Sequence, residues 1–110
     1  MSDRANCLVV DDEPKLRQIL SSLMRTEGFQ CVEAENGVDA LEFLARLPIT
    51  LVLTDMEMPK MGGIELLKQV RSKYPDVAVV MITGNSDVET AVGALALGAM
   101  DYITKPFQLE

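Results

Sequence analysis

Two hydrophobic rhythms alternate along the chain. Short β-rich runs stand at Cys7-Leu8-Val9-Val10, Cys31-Val32-Glu33-Ala34, Leu51-Val52-Leu53-Thr54, Ala78-Val79-Val80-Met81-Ile82 and Tyr102-Ile103-Thr104. Three of them are almost continuously apolar, as strands covered on both faces should be. Helical spacing fills the gaps. Leu16, Ile19, Leu20, Leu23 and Met24 recur at i, i+3, i+4, i+7 and i+8, with Pro14 suited to a first turn and Gly28 to the position after the last. A second helix carries Val38, Leu41, Leu44 and Ala45, and a third Ile64, Leu67 and Val70. A fourth opens on the capping box Ser86-Asp87-Val88-Glu89, aligns Val88, Ala91, Val92, Leu95 and Ala96, and closes at Gly98. The order βαβαβαβαβ predicts an α/β fold, with a doubly wound five-stranded parallel sheet, right-handed crossovers and helices on both faces. In such sheets sites form beyond the carboxyl ends of the strands, so the residues that follow each strand come first.

Those residues are acidic or polar. Asp11, Asp12 and Glu13 follow the first strand, Asp55 ends the third, Thr83 ends the fourth and Lys105 follows the fifth. Taken singly, each has a plain reading. Asp11-Asp12-Glu13 ahead of Pro14 would cap a helix and complement its dipole, and Thr83-Gly84 and Lys105-Pro106 would be turns. Taken together they share one edge. Carboxylates ~4–5 Å apart repel by roughly 3–4 kcal/mol per pair at an effective dielectric near 20, so a fold that gathers them needs protonation or a divalent cation. The 110 residues contain no His, and the donors are hard oxygens. Magnesium suits them, with manganese as substitute. A cation beside Asp55 would align a phosphoryl group for attack by its carboxylate, with Lys105 and the Thr83 hydroxyl as further partners.

Composition narrows the rest. One domain is the expectation for 110 residues, and 48% hydrophobic residues with 5% aromatics predict an aliphatic core. A formal net charge of −7 argues against direct nucleic-acid binding by this segment. The lack of His excludes Ser-His catalysis and His-based zinc sites. Cys7 and Cys31, without CxxC spacing, are expected as buried free thiols. No apolar run approaches a membrane span and no leader-like start is seen, so a cytoplasmic location is the expectation.

Four segments together resemble the response-regulator receiver family of two-component signalling. They are Val9-Val10-Asp11-Asp12-Glu13-Pro14, Thr54-Asp55-Met56-Glu57-Met58-Pro59-Lys60-Met61-Gly62-Gly63, Val80-Met81-Ile82-Thr83-Gly84 and Gly98-Ala99-Met100-Asp101-Tyr102-Ile103-Thr104-Lys105-Pro106-Phe107. The match spans nearly the whole chain. It implies a flavodoxin-like strand order 2-1-3-4-5 in three layers. It implies that Asp55 accepts a phosphoryl group from a sensor histidine kinase or phosphotransfer protein. Asp12 and Asp55 would bind Mg2+ directly, Asp11 largely through water, and Glu57 through its backbone carbonyl. Thr83 would bond the phosphoryl oxygen, Lys105 would pair with it, and Tyr102 would turn inward as the switch; its plain alternative is an amphipathic strand residue with its hydroxyl in water. Self-catalysed phosphotransfer and dephosphorylation, with no turnover on an external substrate, follow from the resemblance.

The chain departs from the family pattern at Phe107-Gln108-Leu109-Glu110, where receivers continue into a fifth helix and usually an output domain. Residues 1–110 are therefore expected to be the N-terminal part of a longer regulator, truncated before that helix. A sheet face left partly bare beside the first helix predicts a marginal monomer or a homodimer that covers it. Rival readings are a phosphatase of the haloacid dehalogenase type, an interaction module that is never phosphorylated, and a flavodoxin. The isolated Asp55 after the third strand argues against the first, and the lack of a Ser/Thr/Gly-rich loop after the first strand against the last.

Overall fold

A computed structural model describes residues 6–84 and 88–104. The strands are β1 (Asn6–Val10), β2 (Gln30–Ala34), β3 (Ile49–Asp55), β4 (Ala78–Thr83) and β5 (Asp101–Thr104). Between them run α1 (Pro14–Thr26), α2 (Gly37–Arg46), α3 (Gly63–Lys73) and α4 (Val88–Ala96). All pairings are parallel and the order is β2-β1-β3-β4-β5, the flavodoxin-like arrangement expected from the resemblance.

The apolar strands feed two cores. Leu8, Val10, Val52, Val79 and Met81 point to one face, where Ala40 and Leu44 of α2, Leu66, Leu67 and Val70 of α3, and Ala91 and Ala94 of α4 cover them. Cys7, Val9, Leu53, Val80 and Ile82 point to the other, under Leu20 of α1 with Leu16 and Met24 beside it. Successive residues thus alternate between cores, which is why β1, β3 and β4 show no polar face. Cys7 and Cys31 are free thiols in direct register on β1 and β2; Cys7 is buried and Cys31 half-buried.

The helix ends follow local chemistry. Pro14 opens α1. Gly28, at φ 99°, ends it with its N–H on the Arg25 carbonyl (3.0 Å) and the Phe29 N–H on the Met24 carbonyl (3.1 Å). Gly98, at φ 110°, ends α4 in the same way, with the Ala99 N–H on the Ala94 carbonyl. The Asn36 side chain caps α2 by accepting the Asp39 N–H at 2.9 Å. Ser86 and Asp87 of the expected capping box lie outside the described residues.

The expected buried helix faces need correction. In α4 the expected Ala91 is fully buried, and so is Ala94, which was not on the expected face, whereas Val92 and Leu95 of that face are 51% and 37% exposed. In α2, Ala40 is buried and Val38 is exposed. Helices that approach a sheet closely place small residues on the contact line, and a periodicity weighted by side-chain size misses them. The face beside α1 is less bare than expected, since Val80 and Ile82 are buried there. Apolar exposure on that side sits at Ile19 and Leu23 of α1 and at Ile103 of β5, the register partner of Ile82.

Candidate functional site

β1, β3 and β4 end side by side, so the residues beyond Val10, at Asp55 and at Thr83 share the carboxyl edge of the sheet. Asp11, Asp12 and Asp55 each offer a carboxylate oxygen there, all within 4.8 Å of one another. Asp11 is fully buried, Asp55 is 8% exposed and Asp12 is open to solvent.

Backbone bonds hold the two buried carboxylates. Asp11 Oδ1 accepts the Glu13 N–H at 2.9 Å, and the Asp11 N–H reaches the Ala34 carbonyl of β2 at 3.1 Å. Asp55 Oδ1 accepts the Met56 N–H at 2.9 Å. The Thr54 hydroxyl donates to the Asp55 carbonyl at 3.0 Å. α3 begins hard against this strand end. The Gly63 N–H bonds the Met56 carbonyl at 2.9 Å, and a Cβ on Gly63 would stand 2.3 Å from the Asp55 carbonyl oxygen. The intervening loop turns at Lys60, which adopts φ 69°, and the Met61 carbonyl accepts the Gly37 N–H of α2 at 3.1 Å.

Mutual repulsion among three carboxylates this close is about 3 kcal/mol per pair at an effective dielectric near 20, less for pairs that include the solvated Asp12. Three hard oxygen donors without nitrogen or sulfur match magnesium or manganese rather than zinc or copper. The residues present therefore fit a divalent cation, with Asp11, Asp12 and Asp55 as the protein donors.

The other expected site residues fall as follows. Thr83 ends β4, fully buried, its hydroxyl donating to the Gly84 carbonyl at 3.2 Å. Tyr102 is half-buried and packed against the α2–α4 core, opposite Met81, while Thr104 pairs with Thr83. Val79, Met81 and Thr83 alternate onto one face, so Thr83 and Tyr102 share it on neighbouring strands. A half-buried ring at the core margin is what the plain alternative for Tyr102 also expects. Glu57 is exposed, two residues past Asp55. Lys105 and Pro106 lie outside the described residues.

Sequence reasoning missed Arg17. Its Nη1 donates to the Asp11 carbonyl at 2.8 Å and its Nε to Glu33 Oε1 at 3.0 Å. A signal existed. A cation in the opening turn of a helix is at odds with the helix dipole and calls for an acceptor elsewhere.

Fold and site together define a doubly wound α/β domain with an acidic cluster at its carboxyl edge. The family model for the response regulator receiver domain matches residues 7–110. The chain is 44% identical over 103 residues to the regulatory protein AtoC of Escherichia coli, covering 94% of this chain and 22% of AtoC. It is 39% identical over 102 residues to the DNA-binding transcriptional regulator NtrC of Escherichia coli, covering 93% and 22%. Among solved structures, the receiver domain of NtrX from Brucella abortus superposes with a TM-score of 0.88 at 35% identity, over 93% of this chain and 87% of that one. A response regulator receiver domain protein from Clostridium thermocellum gives 0.87 at 33%, over 94% and 84%. The chain belongs to the response-regulator receiver family of two-component signal transduction. It spans about a fifth of the length of the curated relatives it matches. Among the described residues, no helix is long and apolar enough to cross a membrane.

Proposed function

We propose that this receiver accepts a phosphoryl group on Asp55 in a magnesium-dependent reaction and changes conformation in response. The observation that carries the reading is the meeting of Asp11, Asp12 and Asp55 within 4.8 Å at the sheet edge of a receiver-family chain. In the proposed reaction an Asp55 carboxylate oxygen attacks the phosphorus of a phosphohistidine on a sensor kinase or phosphotransfer protein. A P–O bond forms, the P–N bond breaks, and the electron pair leaves with the imidazole. Asp11, Asp12, Asp55 and the Glu57 carbonyl would hold the Mg2+ (or Mn2+), which neutralises charge on the transferring group. Lys105 would pair with the phosphoryl oxygens and the Thr83 hydroxyl would donate to one of them. A shift from 1:99 to 99:1 needs about 5.5 kcal/mol of differential interaction, within reach of several charge-assisted bonds. Tyr102, on the same face as Thr83, would move with it and carry the change to α4. Turnover on an external substrate is not part of this function.

We infer that the output lies outside this segment. The relatives are named as regulators and this chain covers about a fifth of them, so we assign residues 1–110 as the N-terminal receiver of a longer regulator whose output domain does the regulating. The net charge of −7 supports leaving any nucleic-acid contact to that domain.

The test is intact mass after incubation with acetyl phosphate and magnesium. One added phosphoryl group is expected, lost without metal and lost in Asp55→Asn. A folded chain that gains none, or an Asp55→Asn variant that still gains one, overturns the assignment.

A further inference from the structure

The acidic loop after β1 is tied to β2 by two threads. One is the Asp11 N–H to the Ala34 carbonyl at 3.1 Å. The other runs through a side chain: Arg17 Nη1 donates to the Asp11 carbonyl at 2.8 Å, while its Nε donates to Glu33 Oε1 at 3.0 Å. Glu33 and Ala34 are adjacent in β2, so both threads end at the same place. The Arg17 and Glu33 side chains are only 18% and 27% exposed, which leaves the pair partly shielded from water.

The oxygen that Arg17 holds belongs to the peptide joining Asp11 to Asp12. That peptide is planar, so fixing its oxygen fixes the direction in which the Asp12 Cα departs. Asp12 is the exposed member of the carboxylate cluster. Its place within 4.8 Å of Asp11 and Asp55 depends on how the loop is oriented. A guanidinium suits the task because its fork serves two acceptors in fixed geometry, which an ammonium does not.

We propose that Arg17, braced by Glu33, is a positioning residue that orients the Asp11–Asp12 peptide and so sets the divalent-cation affinity of the acidic site. The inference rests on reading that site as a cation site. Outer groups that orient metal ligands typically change affinity 10–100-fold when removed. Arg17 acts through a backbone oxygen, so the low end, about ten-fold, is expected.

The experiment is a manganese titration, with free Mn2+ read by electron paramagnetic resonance, on wild type, Arg17→Ala, Arg17→Lys, Glu33→Ala and the milder Glu33→Gln. Folding of each is checked by circular dichroism and urea melts without metal. Asp12→Asn serves as the site control. Arg17→Ala and Glu33→Ala should each weaken binding about ten-fold, with Arg17→Lys failing to restore it. Amide exchange at Asp11, measured without metal, should quicken in both alanine variants. Unchanged affinity in a folded Arg17→Ala, or full rescue by lysine, overturns the proposal. A wild type that binds no manganese overturns the reading of the site instead. Exchange at the Asp11 amide then still decides the tether, which falls if Arg17→Ala leaves that exchange unaltered.

Discussion

Gly63→Ala and Gly93→Ala are the same chemical change in two helices, and the structure gives them opposite signs. A Cβ on Gly63 would lie 2.3 Å from the Asp55 carbonyl oxygen, 2.8 Å from Met81 Cε and 3.0 Å from Met56 Cα. Met81 can swing its methyl aside, but the other two contacts are backbone. Relief requires α3 to lift, which strains the buried Leu66, Leu67 and Val70, or the Asp55–Met56 peptide to move. Overpacking of this kind costs about 1–3 kcal/mol, and rigid backbone neighbours argue for the upper end. Helix propensity returns somewhat less than about 1 kcal/mol. The net loss is then about 2 kcal/mol, or a fall in Tm of roughly 10 °C for a domain of this size. At Gly93 an added Cβ meets nothing within 4 Å. Its exposed place inside α4 should therefore yield a gain of about 0.5–1 kcal/mol. Urea melts of both variants measure these terms, and the rate of acetyl phosphate labelling reports whether Asp55 has moved. A Gly63→Ala protein as stable as wild type and labelled at the same rate would show that the close approach of α3 to Asp55 does not constrain the site.

Three further outcomes are expected. Thr83→Ala should leave labelling of Asp55 mostly intact while blunting the conformational response, read as amide shifts in α4 and β5 on phosphorylation; a full response would sever Thr83 from the switch. Burial, and then the neighbouring Cys31 thiol, push Cys7 from its ordinary value of 9.0 up to about 12. The folded chain therefore keeps a proton that the unfolded chain loses, and stability should fall by about 1.4 kcal/mol per pH unit from pH ~9 toward ~12; Cys7→Ala should flatten that slope, and an unchanged alkaline melt refutes the argument. Exposed Ile19, Leu23 and Ile103 should promote homodimer formation; sedimentation showing a monomer across a wide concentration range, stable on dilution, counts against it.

Much of this protein was legible in one dimension. Strands buried on both faces write continuous apolar runs, and their alternation with helices of period 3.6 is enough to predict five parallel strands and four helices, while the order of those strands in the sheet came from the family resemblance. The meeting of Asp11, Asp12 and Asp55 was readable because a parallel sheet delivers every strand end to one edge, so sequence position translates into proximity. Gly28 and Gly98 announced helix ends because a positive φ selects glycine locally. Each of these is a property of a residue and its near neighbours in sequence.

Other features exist only after the elements meet. Ala40 and Ala94 carry contacts where the periodicity pointed to Val38, Val92 and Leu95, because the helix–sheet distance, not side-chain size, decides who faces the sheet. Gly63 looks like any helix-opening glycine until α3 is set against the carbonyl of Asp55. Arg17 lies 16 residues from Glu33 and six from Asp11, and it joins them only because β2 lies beside β1 and places Glu33 within reach of the first helix. Local periodicity thus determined the elements and the edge where the acids gather. The distances between those elements, set by packing in three dimensions, decided which small residues touch and which charged side chain holds the acidic loop in place.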